Sequence, residues 1–99
     1  IALAIEMDID LKDIRTYLSE FLGTDRRMSV MGNFRGATII DDYGHHPTEI
    51  KTTLAGLREM NKDKKITVVF HPHTFPRTKA LLDEFANSFS DADEIIVLD

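Results

Sequence analysis

The feature that most constrains this chain is an alternation. Two β-branched runs, at 65–70 (KITVVF) and 94–98 (EIIVL), are separated by stretches with helical spacing. A third apolar run, ATIID at 37–41, precedes them. Near-continuous apolar strands predict burial on both faces, as in a parallel sheet covered by helices. Between ATIID and KITVVF, Pro47 fits the first position of a helix, with Ile50, Leu54, Leu57 and Met60 following at i, i+4, i+7 and i+10. A second helix is predicted from Pro76 or Arg77, with Leu81, Leu82, Phe85 and Phe89 on one face. The predicted fold class is therefore α/β, a Rossmann-like parallel sheet in βαβαβ order with right-handed crossovers.

The leading third reads differently. Ile1 to Met7 resembles the last turns of a helix. Asp8 or Asp10 can cap a second helix carrying Leu11, Ile14, Tyr17 or Leu18, and Phe21, which Gly23 is placed to end. A short strand carrying Met28, Val30 and Phe34 follows, with a turn expected at Gly32-Asn33. Three parallel strands leave open edges, so the sheet is expected to be incomplete and the chain to be a piece of a longer protein.

Composition narrows the function classes. The 99 residues carry 12 Lys and Arg against 17 Asp and Glu, a net charge of −5, which disfavours a general nucleic-acid binder. With no cysteine, a disulfide scaffold, a cysteine nucleophile and a thiolate-held zinc are excluded. No apolar run approaches the ~18 residues of a membrane span, and a cytoplasmic location is expected.

All four histidines and all three prolines fall in two stretches, Asp41-Asp42-Tyr43-Gly44-His45-His46-Pro47 and His71-Pro72-His73-Thr74-Phe75-Pro76-Arg77-Thr78. Each directly follows a predicted strand and leads into a predicted helix. Loops after neighbouring parallel strands emerge at one sheet edge, where ligands of open α/β folds bind. Three chemistries remain open on the residues alone. The loops can be structural turns. They can hold a metal, since His45, His46, His71, His73, Asp41 and Asp42 are competent ligands, although no HxxxH or HExxH spacing occurs and Arg77 repels a cation. Or they can bind a small anion, to which the planar fork of Arg77 is matched.

The strings DDYGHHPTEI and VVFHPHTFPRTKALLDEF resemble the C-terminal domain of the Mur ligases. Gly23-Thr24-Asp25-Arg26-Arg27-Met28 resembles the family's Gly-x-x-Arg-Arg-Phe stretch, and DLKDIRTYLSEFLG the last helix of its central domain. The chain departs from many relatives at Met28, His71, Thr74 and Phe75. The resemblance implies that residues 1–24 end the central ATPase domain and that 25–99 begin the C-terminal, amino-acid-binding domain. It implies an ATP- and Mg2+-dependent ligase of peptidoglycan precursor synthesis, working through an acyl phosphate. The second loop favours the member that joins L-alanine to UDP-N-acetylmuramate. Arg77, with His73 or Thr74, would then grip the alanine carboxylate, and Tyr43 and His45 would line the amino-acid pocket. Arg27 and Asp42 would contact the nucleotide, His46 would stabilise its turn, and Glu49 would satisfy the helix dipole. No metal ligand is implied within this segment. No G-x-x-x-x-G-K-[ST] loop is present, so the segment alone is expected to bind no ATP and to be inactive. The alternative is a stand-alone anion- or metal-binding α/β module.

Overall fold

A computed structural model describes residues 1–21 and 23–99. Two short helices, α1 (Ala2–Glu6) and α2 (Leu11–Glu20), come first. Asp10 is the cap of α2, its carboxylate accepting from Lys12 N at 2.7 Å. Ile14 is the buried residue of α2, while Leu11, Tyr17, Leu18 and Phe21 are exposed. Gly23 has φ +90°, but α2 already closes at Glu20.

β1 (Ser29–Phe34) and β2 (Ala37–Asp41) form an antiparallel hairpin. Its turn is Arg35-Gly36, both residues at positive φ (49° and 85°), which is what a two-residue turn of right-handed twist demands. The expected Gly32-Asn33 turn is therefore displaced. Gly32, at φ 146°, instead serves the register shift between Val30 and Gly32, where glycine tolerates a conformation that other residues avoid.

Next come α3 (Pro47–Met60), β3 (Thr67–Phe70), α4 (Phe75–Ala80), α5 (Leu82–Ala86) and β4 (Glu94–Val97). β3 and β4 pair in parallel, Thr67 opposite Glu94 through Phe70 opposite Val97. The βαβαβ order thus holds. β2 and β3 do not pair with each other among the described residues, and the sheet falls into two two-stranded pieces.

The core is built where the periodicity placed it. Ile50 and Leu54 from α3 meet Phe85 and Phe89, with Leu57, Ile66, Val68, Phe70, Leu81 and Ala92 packed around them. The Phe70 ring packs at a tilt against both Phe85 and Phe89, at 5.4 Å between centroids. The second predicted helix differs from expectation: it breaks at Leu81 (φ −116°, ψ 28°) into α4 and α5. Leu81, Phe85 and Phe89 share the core face, whereas Leu82 is 60% exposed. Its position follows from helix geometry, since one residue along is roughly 100° around. The helices cover one face of the β3–β4 pair, leaving Val69 and all of β4 exposed. The expected burial on both faces is thus not present within these residues.

Arg58, from α3, closes the opposite end of the pair. Its guanidinium donates to the Asp91 carbonyl (3.2 and 2.9 Å), the Lys64 carbonyl (2.9 Å) and the Asp93 carboxylate (2.6 Å). Asp93 also accepts from Ile66 N at 2.6 Å. One planar cation thus ties α3 to the segments leading into both strands. The connections at 61–65 and 90–94 are both anchored by it.

That anchor has a pH signature. The Ile66 N–H, then Arg58, hold the Asp93 carboxyl below its ordinary value. A depressed folded value contributes stability above the unfolded carboxylate range and loses it as pH falls through the folded value. Asp93→Asn is expected to lower the melting temperature at neutral pH and to flatten its fall on acidification, as followed by circular dichroism between neutral and strongly acidic pH. A variant whose acid dependence matches the parent's would remove Asp93 from this role. The carboxylate is partly exposed, so added salt should shrink the difference.

Candidate functional site

Both histidine-bearing loops line one cleft of about 1050 Å³ between β2 and β3. Its floor is apolar, formed by Ile50, Leu54, Leu57, Phe85 and Phe89. Asp42, Tyr43 and His45 from the first loop, and His73, Thr74 and Arg77 from the second, are all brought to it. Arg27 is not. It lies over the first turn of α3, beside Thr48, Glu49 and Thr52.

The first loop is held by its own carboxylates. Asp42 accepts from Gly44 N at 2.8 Å and from Met28 N at 3.0 Å, tying the loop to the segment that enters β1. A Cβ at position 44 would lie 2.8 Å from the Asp42 oxygen, so a larger residue there would push the carboxylate out of this arrangement. Tyr43 N donates to the Arg26 carbonyl (2.6 Å), and the Arg26 guanidinium both reaches Asp41 (3.3 Å) and sits 5.2 Å from the Tyr43 ring centroid. Arg27 approaches the same ring at 6.0 Å. Tyr43 in turn meets His45 edge-on at 5.2 Å.

His46 and Glu49 cap α3 reciprocally. His46 Nδ1 accepts from Thr48 N (3.3 Å), and Glu49 accepts from both His45 N (3.1 Å) and His46 N (3.2 Å). His46 thus stabilises its turn, as expected. Glu49 does more than satisfy a dipole, since it also lies 3.5 Å from Arg27 Nη1 and 3.5 Å from His45 Nδ1. The His45 N–H, foremost, holds the Glu49 carboxyl below its usual range.

The second loop is less tied. The rings of His71 and His73 lie 5.2 Å apart, and Thr74 opens α4 without a side-chain cap bond. Arg77 is exposed on α4 and makes no salt bridge among the described residues. Its fork is free to meet an anion in the cleft. Among the described residues no three His, Asp or Glu converge to hold a metal ion. None of the described helices is long and apolar enough to cross a membrane.

Sequence reasoning missed Arg26, which lines the cleft and orders Tyr43. The adjacent Arg26-Arg27 pair was its only visible signal.

Residues 26–99 match the family described as Mur ligase, glutamate ligase domain. The chain belongs to the Mur ligase family. It is 48% identical over 98 residues to the UDP-N-acetylmuramate–L-alanine ligase of Desulforapulum autotrophicum, covering 99% of this chain and 22% of that protein. It is likewise 48% identical over 97 residues to the ligase of the same name from Desulfitobacterium hafniense, covering 98% and 22%. Among solved structures, the UDP-N-acetylmuramate–alanine ligase of Thermotoga maritima superposes with a TM-score of 0.79 at 34% identity, covering 98% of this chain and 21% of that one. A murein peptide ligase of Psychrobacter arcticus gives 0.69 at 32% identity, covering 83% and 17%. The chain thus spans about a fifth of the length of the Mur ligases it matches.

Proposed function

We propose that this segment belongs to an ATP-dependent ligase of peptidoglycan precursor synthesis that joins L-alanine to UDP-N-acetylmuramate. The observation that carries this reading is the near-complete match to alanine-adding ligases, together with the meeting of both histidine-bearing loops in one cleft. Residues 25–99 begin the amino-acid-binding domain, and 1–24 end the preceding ATPase domain.

Arg77 clamps the alanine carboxylate, with His73 and Thr74 beside it, because a charge-assisted fork matches a carboxylate in two parallel bonds. Tyr43 and His45 form the opposite wall. Arg27 and Asp42 face the nucleotide. The Arg27 contact to Glu49 is long and half exposed, so its remaining donors can serve a phosphate. The residues here suit a contribution to an ATP site rather than the whole of one, since no phosphate-cradling loop is present. ATP, with its Mg2+, activates the muramoyl carboxylate as an acyl phosphate, and the domain's task is to hold the amine against it. Orienting two reactants and excluding water supplies much of such a rate enhancement. A cytoplasmic site of action accords with these soluble substrates.

The test is a ligase of the relatives' length in which this segment replaces the corresponding one. It is expected to release phosphate from ATP only when both UDP-N-acetylmuramate and alanine are supplied, and to form the alanyl product. The 99-residue chain alone is expected to release none. Phosphate release by the pure short chain, or a chimera indifferent to alanine, would defeat the reading.

A further inference from the structure

A neutral imidazole carries one proton, and its neighbours decide which nitrogen keeps it. His45 Nδ1 lies 3.2 Å from the Tyr43 carbonyl oxygen and 3.5 Å from the Glu49 carboxylate. Both neighbours only accept. Nδ1 therefore holds the proton, and Nε2 keeps its lone pair, with no hydrogen-bond partner among the described residues. His46 is the reverse, since its Nδ1 accepts from Thr48 N. Two adjacent histidines thus hold opposite tautomers, and His45 is the one whose free nitrogen is basic in a ring lining the cleft.

Resting on the ligase reading above, we propose that His45 Nε2 takes the proton from the ammonium of the incoming amino acid, and that Glu49 is the positioning residue whose charge stabilises the imidazolium so formed. An ammonium has no lone pair and cannot attack a carbonyl. In the step, one N–H bond breaks, its electrons stay on nitrogen, and the proton moves to Nε2, giving an imidazolium beside the Glu49 carboxylate. The amine then forms the C–N bond at the acyl-phosphate carbon. The C–O bond to phosphorus's oxygen breaks, phosphate leaves with that electron pair, and the surplus amine proton passes to water. The charged and titratable groups around His45 are Glu49 from α3, Tyr43 and Asp42 from its own loop, Arg26 and Arg27 behind Tyr43, and His71, His73 and Arg77 across the cleft.

The experiment uses the full-length chimera with hydroxylamine, a nucleophile already unprotonated at neutral pH, competing with alanine for the acyl phosphate. His45→Gln is expected to lower the ratio of alanyl amide to hydroxamate by about 100-fold or more, the range of general base catalysis. Glu49→Gln removes the charge that favours the imidazolium, so the acidic limb of kcat/KM for alanine should move to lower pH. An unchanged product ratio in His45→Gln, loss of both products together, or an unmoved acidic limb in Glu49→Gln would overturn the proposal. A parent chimera that forms neither amide nor hydroxamate would instead overturn the ligase reading itself, and this proposal with it.

Discussion

Arg77→Ala, in a ligase of the relatives' length carrying this segment, is expected to raise the KM for alanine between about thirty-fold and several thousand-fold. The range follows from removing one partner of a charge-assisted pair that bound substrate takes out of water, which costs about 2–5 kcal/mol, at about 1.4 kcal/mol per tenfold. The cleft gives the effect its specificity. Arg77 opens the second wall, opposite Tyr43 and His45, and has no salt bridge of its own among the described residues to absorb its charge. The KM values for ATP and for the nucleotide sugar should change little. Arg77→Lys should recover only part of the loss, because a point charge cannot reproduce two parallel bonds. Steady-state kinetics with each substrate varied in turn provides the check. A raised KM for ATP with an unchanged KM for alanine would move Arg77 to the phosphate-handling side.

Phe85→Ala should be the most damaging single truncation of the core. Phe85 is 5% exposed and packs between the α3 residues and the ring of Phe70. Large-to-small changes at such positions cost roughly 3–5 kcal/mol, because a cavity remains where the ring stood. A domain of this size has about 5–15 kcal/mol in all, so much of the stability goes with one ring. At about 4–8 °C per kcal/mol, the melting temperature should drop by more than about 12 °C. Phe85→Leu, which keeps most of the volume, should cost far less. Equal melting temperatures for parent and Phe85→Ala would show that this cluster does not hold the fold. Phe70 also ends β3 just before the His71-Pro72-His73 loop, so the same substitution should loosen one wall of the cleft.

What could be seen in the sequence was what repeats. Pro47, Ile50, Leu54 and Leu57 declare α3 because burial of one face imposes its period on the chain. The alternation of strand and helix gave the element order for the same reason. Features that depend on single non-repeating contacts were not legible. The Arg35-Gly36 turn competes with Gly32-Asn33, and only the pairing of Phe34 with Ala37 decides between them. The break at Leu81 and the gap between β2 and β3 are tertiary outcomes with no local signal. In the site, clustering of histidines and prolines marked both loops. It could not reveal that Arg27 lies outside the cleft, nor that His45 Nδ1 faces the Tyr43 carbonyl while His46 Nδ1 faces the Thr48 N–H. Those distinctions are set by which oxygen or N–H stands a few ångströms away, after folding has brought it there.

The chain passes into β1 through two residues in the left-handed region, Arg26 at φ 59° and Met28 at φ 51°. For side chains with a Cβ this costs roughly 1–2 kcal/mol each, and the Asp42 carboxylate and Tyr43 N–H hold the segment there through its backbone. Mechanically, the pair behaves as a crank welded to its shaft. Any change of backbone at Arg26 or Met28 is thereby handed straight to Tyr43 and Asp42, whose hydrogen bonds these two residues share.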